Sequence, residues 1–399
     1  MSDLDTNGFD ERVVEFLDAN AERLPADTER VWGQGPDDVS SMGNDSADSR
    51  RAAQEWRARL YDAGFGWISG PSVFGGAGLD PYYDERFAEL AGGYDVPEQG
   101  IFQVSRGMVS PAIVEHGSDA LKERFLPAIH RGEIICCQLL SEPEAGSDLG
   151  GLRTTAVRDG DEWVVNGQKV WSSYAHVADY GQLLARTDQS VPKHQGLTMF
   201  MLPMDTPGVE VRPLRQMTGE AHFNEVFFDD VRVPDALRVG EPGTGWRAVL
   251  TTLMNERHVV ANRGRSAQSD APTRLRELAV AVGRNTDARI RQRLAEVYTV
   301  DRVLQYMRLR EEAAAAAGKA PGPEGSIGKL LHTGNLRRIG DLAGELLGAS
   351  ITADSGAWGT YAWSQFLCGS PGLRIAGGTD AIQRNTLGER ALGLPKEPR

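Results

Sequence analysis

Cysteine is scarce in this chain. There are three among 399 residues, with Cys136 and Cys137 adjacent and Cys368 far away. No CxxC pair and no Cys/His spacing of the metal-ligand kind is present, so neither a disulfide framework nor a metal centre is expected. A reducing intracellular compartment fits that usage best. Long apolar runs are missing too. No stretch reaches the ~18 residues that would suggest a bilayer crossing, so no membrane span is expected. Basic charge is in deficit: 43 Lys and Arg against 56 Asp and Glu leave a net charge of −13. That balance argues against nucleic acid or an anionic membrane as the main partner, because both call for basic surface. The N-terminal stretch is acidic and has neither the apolar segment of a secretion signal nor the arginines of a transit peptide. A cytoplasmic protein is the default expectation.

What is present is ordinary globular material, with 40% hydrophobic and 25% charged residues. The length allows two or three packed layers or subdomains. Residues 9–24 carry Val13, Val14, Phe16, Leu17 and Ala21 at helical spacing. Residues 25–48 are polar and rich in Asp, Gly and Ser, and read as a long surface loop. Residues 51–63, 82–92, 107–116 and 120–130 read as helices, with a turn-rich break at 70–81. From residue 134 the texture changes to short apolar or alternating runs separated by Gly, Asp, Pro and Asn, which predicts a compact β domain. Helical periodicity returns in residues 248–266, 272–282, 287–317 and 326–347, with a proline-bearing linker at 319–325. Asp380 and Gln383 have capping-box spacing and predict the start of a last helix. Helical, then β, then helical segments make an α+β arrangement with expected boundaries at 1–133, 134–242 and 243–399.

The densest pattern lies in residues 137–179. It holds Ser141-Glu142-Pro143, Ala145-Gly146-Ser147-Asp148, Asn166-Gly167-Gln168-Lys169 and Trp171-Ser172-Ser173. This series resembles the flavin-binding signature of the acyl-CoA dehydrogenase family. The resemblance runs over nearly the whole chain and is strongest at 117–246 and 372–395. It implies an N-terminal helical domain, a central β-barrel-like domain and a C-terminal four-helix bundle. It also implies bound FAD. Leu140 and Ser141 would run along the flavin ring edge, and Gly146 and Ser147 would form the turn facing flavin and substrate. Trp171 would flank the ring and Ser173 would add a polar contact. Asp148 reads equally well as an Asx-turn or cap.

Family members bury the adenosine and pyrophosphate across a subunit interface. The matching residues are Arg284, whose fork suits a pyrophosphate, and Gln292. Many members have an aromatic residue where this chain has Asp287. The interface segment from the other subunit usually reads Gln-x-x-Gly-Gly, and here it runs from Glu345 to Gly348 and Ala349. Glu345 offers an acceptor-only anion in place of an amide, which is unfavourable beside a pyrophosphate unless the carboxylate is paired. Thr379 matches the Gly-Thr pair near the flavin, and also reads as a helix N-cap.

The family reaction removes the α proton of an acyl thioester with a carboxylate base while the β hydrogen leaves as hydride. Most members carry that base immediately before the Gly-Thr pair, where this chain has Gly377. A subset carries it in a Glu-Arg pair on the helix after the β domain, and Glu256 and Arg257 occupy that position. The resemblance therefore makes Glu256 the general base, with Gly377 contributing its backbone N–H to the thioester carbonyl and Arg257 approaching the substrate. A Glu beside an apolar acyl chain is expected to have a raised pKa.

Expected partners are an acyl-CoA substrate and an electron-transferring flavoprotein. A homotetramer, a homodimer and a heterotetramer are all compatible with the sequence. Oxidases of the fold are usually longer at the C-terminus, which favours a dehydrogenase here. A flavin monooxygenase or oxidase, and a non-catalytic partner subunit of a heteromeric dehydrogenase, are the alternatives.

Overall fold

The computed structural model describes residues 6–24, 45–267, 271–316, 322–352 and 360–396. They divide into two compact units, one ending at Glu256 and the other beginning at Arg257.

The first unit opens with helices. α1 (Thr6–Asn20) buries Phe9, Val13 and Leu17, a four-residue spacing that lines one helix face. It packs with Trp56 and Leu60 of α2 (Ala47–Asp62), and with Phe65 and Ile68. Ser46 caps α2 by accepting the Ser49 N–H at 3.3 Å. The predicted loop at 25–48 therefore gives way to helix at Ala47, and its residues 25–44 lie outside the described ones. α3 (Tyr82–Ala91) is flanked by a two-residue ladder that joins β1 (Glu22–Arg23) to β2 (Tyr94–Asp95). The helix expected at 107–116 begins instead as a π-turn, Ser105–Val109, and continues as α4 (Ser110–His116). α5 (Asp119–Arg131) is capped by the Ser118 side chain and stops at Gly132, whose φ of 84° suits glycine.

An eight-stranded sheet follows. Its strands are β3 (Cys136–Leu139), β4 (Thr155–Asp159), β5 (Glu162–Ser173), β6 (Tyr180–Arg186), β7 (Leu197–Pro203), β8 (Val209–Leu214), β9 (Phe223–Pro234) and β10 (Arg238–Val239). The order is β10-β7-β6-β4-β5-β9-β8, and β3 lies parallel to β6. The central residues of β6 and nearly all of β7 are buried, which is why both read as continuous apolar runs rather than alternating ones. The long β5–β9 pair shifts register twice, once between Lys169 and Ser172. α6 (Gly245–Ala267) leaves the sheet.

In the second unit, α7 (Ala271–Ala281), α8 (Ala288–Ala316), α9 (Gly325–Leu347) and α10 (Thr360–Gly369) surround a core that includes Leu275, Ile290, Leu336, Ile339, Trp363 and Phe366. Sequence periodicity did not predict α10. The last helix, α11 (Asp380–Thr386), is capped by Thr379, which accepts the Ile382 N–H at 3.3 Å. The N-cap is thus Thr379, one residue before Asp380, and the expected box between Asp380 and Gln383 does not form. Gln383 bonds the carbonyl of Gly377 at 3.0 Å instead of closing a box from Asp380. Among the described residues, no helix is long and apolar enough to cross a membrane.

Candidate active site

The segment after β3 is built around an ion pair sealed from water. Lys169 Nζ donates to Glu142 Oε1 at 2.8 Å and to the Leu140 carbonyl at 3.0 Å. Glu142 also accepts the backbone N–H groups of Arg153 at 2.6 Å and Thr154 at 2.9 Å. Burial pushes the Glu142 carboxyl up, but Lys169 and these hydrogen bonds outweigh it and hold the pKa below its usual value. Burial takes Lys169 down to about 8 against the pull of Glu142. The Val170 N–H donates to the Ser141 carbonyl at 2.9 Å, so Leu140 and Ser141 are tied to β5 at two successive carbonyls. Glu142 and Ala145 then exchange backbone hydrogen bonds in a tight turn that presents Gly146 and Ser147 to solvent.

Trp171 sits in the β5 bulge. The extra residue there re-aims a side chain, and Trp171 adopts a φ of 63° with 62% of its surface exposed. It is not a core aromatic. Ser173 is half-buried two residues on. The segment is held by Asn224, which donates to the Ser172 carbonyl at 2.9 Å and contacts His176 Nδ1 at 3.1 Å. A Cβ added at Gly146 would meet nothing within 4 Å, and its φ lies outside the left-handed region. Neither packing nor backbone conformation within the chain calls for glycine there. The structure thus brings Leu140, Ser141, Gly146, Ser147, Trp171 and Ser173 into one region. Asp148 lies beside it, paired with Lys193 at 2.5 Å on an exposed edge.

The start of α6 is fixed to the same sheet. Thr252 is fully buried, and its hydroxyl donates to Gln182 Oε1 on β6 at 3.1 Å. Gln182 stands in register with Gln138 on β3, two residues before Leu140, and both amide nitrogens are buried without a partner among the described residues. Thr251 meets His116 at 2.8 Å and Glu115 at 2.9 Å, which ties α4 to α6. Glu256 is half-buried and lies one helical turn beyond Thr252, on the same helix face. The Arg257 side chain lies outside the described residues.

In the second unit Arg284, Asp287 and Glu345 come together. Arg284 donates to Asp287 Oδ2 at 2.9 Å and to the Glu345 carbonyl at 3.1 Å, and its guanidinium lies 3.6 Å from the Glu345 carboxylate. Arg289 is 3.7 Å from that carboxylate, and Arg293 pairs with it directly. The acceptor-only anion is therefore paired. Asp287 also accepts the Arg289 N–H at 2.9 Å, and the Arg284 hydrogen bond leads in holding its pKa below the usual value. Gln292 is exposed on α8 and is not drawn into this group by any described contact. Gly348 ends α9 with a φ of 54°.

Gly377 and Gly378 have φ values of 64° and 92°, which only glycine adopts freely. Lys329 on α9 donates to the carbonyls of Ala376 and Gly378. Within a trans peptide the N–H opposes the C=O, so the Gly377 N–H points away from Lys329. Sequence reading missed Lys329, the Glu142–Lys169 pair and the Gln138–Gln182 pair. For Glu142 and Lys169 a signal existed, since both are fixed types within the signature. For the others the partners are distant in sequence and no local pattern announces them.

Comparison with known proteins gives the family. The acyl-CoA dehydrogenase N-terminal, middle and C-terminal domain families match residues 41–133, 137–231 and 243–392. The chain is similar to acyl-CoA dehydrogenase IpdE1 of Mycobacterium tuberculosis (strain ATCC 25618 / H37Rv), 37% identical over 355 residues, 89% of this chain and 90% of the relative. Among solved structures it is similar to the Tcur3481-Tcur3483 steroid ACAD, with a TM-score of 0.76, 26% identity and 98% of each chain covered. It is also similar to the ChsE4-ChsE5 complex from Mycobacterium tuberculosis, with a TM-score of 0.72 and 28% identity over 99% of this chain and 100% of the other. The chain belongs to the acyl-CoA dehydrogenase family.

Proposed function

We propose that this protein is an FAD-dependent acyl-CoA dehydrogenase in which Glu256 removes the α proton of the substrate thioester. One relationship carries the proposal. Glu256 lies a turn beyond Thr252, and Thr252 is bonded to Gln182 in register with Gln138, two residues before Leu140. A base anchored this way belongs beside the Leu140–Ser141 segment rather than on a remote helix surface.

The residues present fit a flavin. Trp171 offers an exposed aromatic face on a bulge, Gly146 leaves open space before its backbone, and Gln138 brings to the strand a buried amide nitrogen without a partner among the described residues. Leu140, Ser141, Gly146, Ser147, Trp171 and Ser173 would hold the ring end. Arg284, Gln292, Glu345 and Gly348 are the residues proposed for the adenosine and pyrophosphate end, and Thr379 for a contact near the flavin. FAD, when bound, supplies the acceptor for the hydride from the β carbon. Glu256 holds the proton taken from the α carbon on its carboxylate. The Gly377 N–H, turned outward by the Lys329 bonds to its neighbours, donates to the thioester oxygen and favours the charge that gathers there. Ser147 and Arg257 are the proposed substrate contacts. An electron-transferring flavoprotein is the proposed electron acceptor, by family resemblance.

A heteromeric assembly is a second reading. It is favoured by Arg284, whose fork is already engaged by Asp287 and Glu345. Two similar structures are named as pairs of different chains.

The test is anaerobic bleaching of the visible flavin band by a panel of acyl-CoAs, with wild type beside Glu256→Gln. Bleaching by some thioester, lost in the variant, is the expected result. A yellow protein that no thioester bleaches, or a variant reduced as fast as wild type, would overturn the Glu256 mechanism. A colourless isolated chain that turns yellow with a partner subunit would favour the second reading.

A further inference from the structure

The helical layer of the first unit contains buried guanidinium groups that the described residues satisfy only in part. Arg57 on α2 is 3% exposed. A single guanidinium nitrogen donates to the carbonyls of Gly66 and His130, and Nε is buried and unpaired among the described residues. Arg106 lies in the π-turn before α4, and its Nε is likewise buried and unpaired. Gln103, one turn earlier, buries an amide oxygen that has no partner among the described residues. A structural arginine in this protein looks different. Arg186 spends Nε and both terminal nitrogens on the carbonyls of Leu152, Lys193 and Gly150.

The electrostatics agree with the geometry. Burial lowers the pKa of both Arg57 and Arg106, and the two cations disfavour each other. The carboxylate that acts on Arg106 is Asp84, whose own pKa is raised by burial and whose hydrogen bonds go to Ser69. Arg106 thus has one carboxylate acting on it, which Ser69 also engages, and no carboxylate among the described residues acts on Arg57. A buried cation left without a partner is costly, so such sites are completed by an anion or a strong acceptor. π-Turns concentrate at functional sites because the extra residue redirects side chains.

The position of the cluster suggests what completes it. Ser105, next to Arg106, accepts the N–H of Cys136 at 2.7 Å, which fastens the π-turn to the first residue of β3. At the other end of the same run, His116 meets Thr251 on the helix of Glu256. Ten residues separate Arg106 from His116, which an α-helical rise bounds at about 15 Å and the π-turn shortens. That is the reach of an extended or fused-ring acyl group.

We infer that Arg57 and Arg106 recognise an oxygen-bearing group, a carboxylate or a ketone, at the end of the acyl moiety remote from the thioester. The inference rests on the acyl-CoA reading above. The Glu256→Gln holoenzyme, which binds without turning over, allows a test by calorimetry. Three thioesters of equal length are compared: a plain alkyl acyl-CoA, an ω-carboxyacyl-CoA and an (ω−1)-oxoacyl-CoA, whose oxo group is a ketone. The polar ends should bind at least about tenfold more tightly than the alkyl end, since a site built for hydrogen bonding rejects a ligand that leaves its groups unpaired. Adding Arg106→Met should abolish that preference while moving the alkyl dissociation constant by less than about threefold. Arg106→Lys should restore part of it. Equal binding of all three thioesters, or a preference that survives Arg106→Met, overturns the assignment. If no thioester binds at all, the acyl-CoA reading fails and this inference falls with it.

Discussion

Lys169 and Glu142 form an ion pair, 2.8 Å apart, with side chains 0% and 7% exposed. The pair lies directly beneath the segment that carries Leu140 and Ser141. Removing one partner strands the other charge in a dry site, which typically costs about 3–5 kcal/mol. Lys169→Met is therefore expected to lose most of that in urea denaturation and to lose its flavin. The double variant Glu142→Gln/Lys169→Met should recover a large part of the stability, because it leaves no unpaired charge. If the double variant is as unstable as the single one, the pair acts through shape and not through charge.

The helices were legible wherever a face repeats. Phe9, Val13 and Leu17 mark α1 at four-residue spacing, and α8 and α9 lie within a residue of their periodic segments. α10 was not legible, because its buried residues Trp363 and Phe366 stand in a short segment bordered by glycines. At the candidate site, sequence identified the turn and the aromatic, but not how Trp171 becomes exposed. That exposure depends on a register shift against β9, roughly fifty residues away along the chain, and register is a property of pairing rather than of local pattern. The pairing of Glu345 was invisible for the same reason, since its arginines come from another helix and its leading turn.

Trp171 holds a left-handed backbone conformation, which costs a residue with a Cβ about 1–2 kcal/mol. Trp171→Gly relieves that strain and removes the aromatic face. The expected outcome is an apo-protein of equal or slightly greater stability, by up to about 1 kcal/mol, that no longer retains flavin. Chemical denaturation of the apo form and absorbance of the purified protein measure the two effects separately. Stability lost in parallel with flavin would show that the tryptophan is chiefly a packing residue against Phe223, whose ring it meets edge-on.

His222 links the Trp171–Tyr174 segment to acidic neighbours. Glu220 first, and then Asp45 at 3.2 Å, hold its pKa above the usual 6.5 despite partial burial. A raised folded-state pKa means that the stabilisation is complete below 6.5 and is lost as pH rises through the raised value. Melting temperature should therefore fall across that window. In His222→Gln the fall should be shallower, because the remaining side chain does not titrate. A wild-type melting temperature that is flat from about pH 6 to about pH 8 would remove His222 as a contributor.

Glu345 decides how freely Arg284 can serve a phosphate. Its carboxylate faces Arg284 at 3.6 Å and Arg289 at 3.7 Å, and also pairs with Arg293. A pyrophosphate must compete with that anion for the same donors. Glu345→Gln keeps the volume, removes the charge and restores a donor. The assembled variant should bind ADP about three- to tenfold more tightly by calorimetry, while losing no more than about 1 kcal/mol of stability, as expected for partly exposed ion pairs. If ADP binding weakens instead, Glu345 orients Arg284 for the phosphate and does not compete with it. The same titration bears on assembly. A chain whose own arginine is held back in the wild type, and released by a single neutralising change, is suited to pair with a different subunit that supplies an unhindered one.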